Sequence, residues 1–78
     1  MTRARLHLTF SERVVQEPIV WRLSHEFGLV TNIRRANVEE RVGWVILEAE
    51  GSEEDLTRAV SWLTDQGVQV DRIGDEES

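Results

Sequence analysis

A chain of 78 residues with a net charge of −6 and a pI near 4.8 has room for one modest core, and its acidity argues against nonspecific binding to phosphate backbones. It has no cysteine, which excludes disulfides, thiolate metal clusters and thiol catalysis, and no apolar run of the roughly 18 residues a membrane span needs. A cytoplasmic protein is therefore expected.

Charge is unevenly placed. Residues 1–44 carry seven Arg and five acids, whereas residues 45–78 carry two Arg and ten acids, so the halves can attract each other or a second copy.

Along the chain, Ala4, Leu6, Leu8 and Phe10 alternate with Arg3, Arg5, His7 and Thr9, the period-2 mark of a strand with one buried face. Ser11 to Glu17 break the alternation, and Pro18 opens a helix that runs to Phe27 with Ile19, Val20, Leu23 and Phe27 on one stripe. Gly28 supplies its left-handed stop. Leu29 to Glu39 and Val42 to Glu50 read as two strands of an antiparallel hairpin turning at Glu40 and Arg41. Ser52 is a suitable N-cap, with Asp55 at the capping-box position and acids at the positive end of the helix dipole. Leu56, Ala59, Val60 and Leu63 form the second helical stripe, and Gly67 ends it. Val68, Val70 and Ile73 mark a last strand, closing a single domain over residues 1–73. Residues 74–78 are expected to be a disordered acidic tail.

The order βαββαβ predicts an α+β, ferredoxin-like domain: a four-stranded antiparallel sheet in the order 4-1-3-2 with two helices on one face. The other face then shows Arg3, Arg5, His7 and Thr9 from the first strand and Trp44, Ile46 and Glu48 from the third. An exposed Trp beside an exposed Ile points to an interface there, with His7, Trp44 and Ile46 as its residues. The bland alternative lays Trp44 against the stems of Arg3 or Arg5. Trp21 and Trp62 lie beside their helix stripes and are expected at the core boundary.

Catalytic chemistry is poorly supplied. The two histidines, His7 on a strand and His25 on a helix, belong to differently facing elements, and His25 reads as a solvated helix residue. A metal chaperone would need paired thiols before the first helix, and Phe10 to Glu17 has none. An RNA-binding sheet would need stacking aromatics on its central strands within a basic surface. Glu39-Glu40 and Glu53-Glu54-Asp55 are explained by solvation and by the helix dipole. No catalytic residue, metal or cofactor is expected.

The chain resembles the NIL domain family, best known as the C-terminal regulatory domain on the ATP-binding subunit of bacterial methionine importers. The resemblance runs from Arg5 to Ile73. It rests on Leu8-Thr9-Phe10, on Glu17-Pro18-Ile19, on Asn32-Ile33, on Gly43 through Glu48 with Gly51, and on Ala59 to Leu63 followed by Gly67-Val68-Gln69-Val70. It implies an ACT-like module that pairs through its sheet and binds methionine or a related amino acid. Asn32 would hold the ligand, and Ile33, Arg34, Ala36 and Val38 would line the nearby strand; Asn offers donor and acceptor together. Alternatively, Asn32 satisfies local backbone groups. The chain departs from the family pattern at Glu12, where a Gly is usual, and at Arg34, where an aliphatic residue is usual. With no ATPase segment ahead of it, the module is expected to be free-standing. Its expected role is noncatalytic sensing as a homodimer; the alternative is a ligand-free module that docks on a sulfur-metabolism enzyme or a transporter.

Overall fold

The computed structural model describes residues 1–11, 19–38 and 42–77, with the side chains of Val38, Val42 and residues 75–77 outside the description. Six elements follow in the order β1 (Thr2–Ser11), α1 (Ile19–Phe27), β2 (Val30–Val38), β3 (Val42–Gly51), α2 (Glu53–Asp65) and β4 (Gln69–Glu77). The strands form one sheet in the order β2-β3-β1-β4, all neighbours antiparallel, as the sequence predicts. Pro18, the hairpin turn at Glu40 and Arg41, and the Glu39-Glu40 pair lie outside the described residues.

Strict alternation on β1 buries Ala4, Leu6, Leu8 and Phe10. These meet Leu47 and Ala49 of β3, Ile19 and Leu23 of α1, and Leu56, Ala59 and Leu63 of α2 in one core. Each fully buried leucine contributes about 1.5–3 kcal/mol by leaving water.

The helix ends follow from local chemistry. Gly28 has φ +65° and stops α1. At the start of α2 the Asp55 backbone N–H donates to Ser52 Oγ at 3.0 Å, satisfying one of the unpaired first-turn donors. At its end the Val68 N–H donates to the Leu63 carbonyl and the Gly67 N–H to the Thr64 carbonyl, both at 3.0 Å. With Gly67 at φ +87° and Val68 buried, this is a Schellman stop.

Two features depart from expectation. β4 runs to Glu77 instead of ending at Ile73, because Arg5, Ala4, Arg3 and Thr2 pair with Gly74, Asp75, Glu76 and Glu77. A polar segment without apolar alternation still completes a strand when a neighbouring edge offers its N–H and C=O groups. Ser78 lies outside the described residues. The second departure is Trp21, which is 60% exposed and stacks on His25 with ring centroids 4.5 Å apart, away from the core. His25 is exposed, as expected. Trp62 does sit at the boundary, against Phe27 at 5.5 Å and under the Arg22 guanidinium at 4.7 Å.

Candidate ligand-binding face

The sheet face opposite the helices carries the side chains of interest, and two β-bulges decide which residues reach it. The β2–β3 register slips between Ile33 and Arg35, and the β1–β4 register slips between Arg5 and Leu6, where Ile73 is the extra residue of β4. A bulge lets two successive residues face the same side. Arg34 reaches across to Glu48, and Arg35 pairs with Ile46, so both stand on the open face.

Asn32 is opposite Glu48 in the register and therefore on this face. It lines a groove of about 250 Å³ together with Arg3, Val30, Arg34, Glu48 and Glu50. Among the described residues the Asn32 side chain makes no hydrogen bond. The groove is charged with both signs. The Arg3 Nη2 lies 3.1 Å from Glu50 Oε2, and Glu48 is ringed by Arg3 at 3.7 Å, Arg5 at 3.7 Å and Arg34 at 3.3 Å.

Of the five residues expected to form the ligand site, the fold brings Asn32 and Arg34 together. Ile33 is paired with Leu47 and Ala36 with Val45, positions that place both on the helix side of the sheet, away from the groove. Val38 stands opposite Gly43, and its side chain lies outside the description. The reason is strand parity: neighbours along a strand cannot share a face unless a bulge intervenes, and the single bulge serves Arg34 and Arg35.

The expected interface residues do converge. His7 pairs with Ile46 across the β1–β3 ladder, and its ring centroid lies 5.7 Å from that of Trp44. The His7 Nδ1 is also 3.7 Å from Asp71 Oδ2. Trp44 and Ile46 are half-buried, not exposed as the sequence suggests, because Trp44 is flanked by Thr9 and Asn37 on the adjoining strands. Trp44 is not laid on Arg3 or Arg5 either, since those arginines stand beside Glu50 and Glu48, further along the ladder.

Residues on this face that escape the sequence reading include Val30, 66% exposed beside the Asn32 groove; Ile73, 52% exposed on β4; Arg35; Glu50 in the groove wall; and Asp71 beside His7. A signal for Arg35 exists in the consecutive Arg34-Arg35, where alternation fails. Among the described residues no helix is long and apolar enough to cross a membrane.

A four-stranded antiparallel sheet with two helices on one face and a grooved, charged open face defines a ferredoxin-like α+β module. The family model of the NIL domain matches residues 4–72, and the chain belongs to that family. It is 32% identical over 69 residues to the methionine import ATP-binding protein MetN of Histophilus somni (strain 129Pt), covering 83% of this chain and 20% of that protein. With MetN of Pasteurella multocida (strain Pm70) it shares 30% identity over 69 residues, with the same coverage. The chain thus spans about a fifth of the length of the curated relatives it matches. In fold it superposes on the C-terminal domain of an ABC transporter ATP-binding protein from Enterococcus faecalis with a TM-score of 0.81, at 21% identity over 91% of this chain and 83% of that one.

Proposed function

We propose that this chain is a noncatalytic regulatory module that binds a small amino acid, methionine or a related sulfur compound, in the Asn32 groove and acts as a homodimer in the cytoplasm. The observation that carries the reading is the Asn32 amide, without a hydrogen bond among the described residues, in a groove of mixed charge on a chain whose relatives are methionine import proteins. A zwitterion needs an acid for its ammonium and a base for its carboxylate. Glu48 or Glu50 supplies the first, Arg3 or Arg34 the second, and Val30 an apolar wall. At about 250 Å³ the groove lies below the roughly 300–1,000 Å³ of drug-sized sites and suits one amino acid.

Calorimetry with methionine and homocysteine tests this. Methionine is expected to release or absorb heat with one site per chain, and Asn32→Ala is expected to weaken it at least about tenfold, some 1.4 kcal/mol. No heat at millimolar methionine with folded protein removes the methionine assignment. A module that only docks on a transport or sulfur-metabolism protein would also show no thermal shift, whereas saturation at 100 times Kd adds about 2.7 kcal/mol.

The homodimer is assigned to the His7, Trp44 and Ile46 patch, half-buried in the single chain, with Ile46 at its margin between His7 and Arg35. Trp44→Glu is expected to halve the mass in light scattering, because an unpaired carboxylate in a closed apolar contact is costly to desolvate. An unchanged mass takes Trp44 out of the interface.

A further inference from the structure

The two bulges fall on one line across the sheet. Arg34 and Arg35 on β2, Ile46 on β3, Arg5 on β1 and Ile73 on β4 line a second, solvent-open cavity of about 310 Å³ on the open face, beside the Asn32 groove. Gly74, opposite Arg5 in the register, adds no side chain to close it. Both register shifts among the described residues thus serve the same cavity, one by adding a guanidinium and the other by adding an apolar side chain.

Its chemistry differs from that of its neighbour. The Asn32 groove has two arginines and two carboxylates in its wall, whereas this cavity has three arginines and no acid. The nearest carboxylate, Glu48, is divided among Arg3, Arg5 and Arg34, and the Arg5 and Arg34 side chains remain 52% and 53% exposed. Arg35 makes no ion pair among the described residues. Such a site is positive within a chain of net charge −6, so it attracts a small anion while the surrounding surface repels a polyanion. Ile46 and Ile73 supply apolar surface that an inorganic ion leaves unused.

We propose that this cavity binds a small organic anion, its acidic group held by Arg5, Arg34 and Arg35 and its short aliphatic arm lying on Ile46 and Ile73. The site is separate from the proposed methionine groove and shares Arg34 with it. Arginine suits the role because its planar donors engage an oxyanion in pairs.

The four isoleucines make the test direct: Ile46 and Ile73 line the cavity, Ile19 is in the core and Ile33 is on the helix side of β2. Methyl-labelled protein titrated with hexanoate is expected to show shifts at Ile46 and Ile73 and none at Ile19 or Ile33. Hexanamide, equal in shape but uncharged, is expected to give no shift, and inorganic sulfate is expected to bind at least about tenfold more weakly than hexanoate. Arg35→Gln should weaken hexanoate about tenfold, as loss of a charged hydrogen bond does, and Arg35→Lys should restore part of it. Asn32→Ala should leave the hexanoate shifts intact, which separates this site from the methionine groove. The proposal is overturned by equal responses to hexanoate and hexanamide, by sulfate binding as tightly as hexanoate, or by an Arg35→Gln protein that retains its spectrum and binds hexanoate unchanged.

Discussion

Leu47→Ala is expected to lower the unfolding free energy by about 3–4 kcal/mol, the cost of removing a buried leucine and leaving a partly collapsed cavity. Leu47 is 0% exposed on β3, a strand with a partner on each side, and it pairs with Leu6 of β1 and Ile33 of β2. At 0.05–0.15 kcal/mol per residue a domain of this length is stable by about 4–12 kcal/mol, so the substitution removes a large share of it. The midpoint of thermal unfolding should fall by roughly 15–30 °C. Urea unfolding followed by circular dichroism measures the free energy and a thermal melt the midpoint, with an unchanged urea slope expected if only stability is affected. A loss below 1 kcal/mol would mean that the core repacks around this position.

Gly51→Ala is the second large effect, at about 1–3 kcal/mol of destabilisation from overpacking. A Cβ at Gly51 would lie 2.5 Å from Leu29 Cδ2, and Leu29 is 3% exposed, so its side chain has little room to withdraw. The backbone at Leu29 is constrained as well, because it follows Gly28 in its left-handed conformation. The cause is contact between two side chains, which makes it separable by a double-mutant cycle: Leu29→Val should be partly compensating in the Gly51→Ala background, with a coupling of about 0.5–3 kcal/mol. Gly74→Ala is the control. Its added Cβ would meet Arg5 Cβ at 3.9 Å, an ordinary contact, and its effect should stay within about 0.5 kcal/mol. Equal effects at Gly51 and Gly74 would rule out the Leu29 contact as the cause.

The order βαββαβ, the helix stops at Gly28 and Gly67, the Ser52 cap and the buried stripe of β1 were all legible in the residues, because each depends on neighbours within a few positions. The family pattern likewise drew attention to Asn32, which the fold places in a groove. What tertiary structure decided was direction. Strand alternation is a local rule, but a bulge is defined only against the partner strand, so the side taken by Arg35 and the loss of Ile33 and Ala36 from the groove could not be read from the chain. Nor could the length of β4, which borrows its hydrogen bonds from the edge of β1. Trp44 and Trp21 exchanged their expected exposures for the same kind of reason. A side chain's burial depends on what the neighbouring strands or the facing layer bring to it, and that is set by packing among segments distant in sequence. Sequence alone therefore determined the elements and their apolar faces. The charges that meet on the open face were decided only when four strands, two of them bulged, came into register.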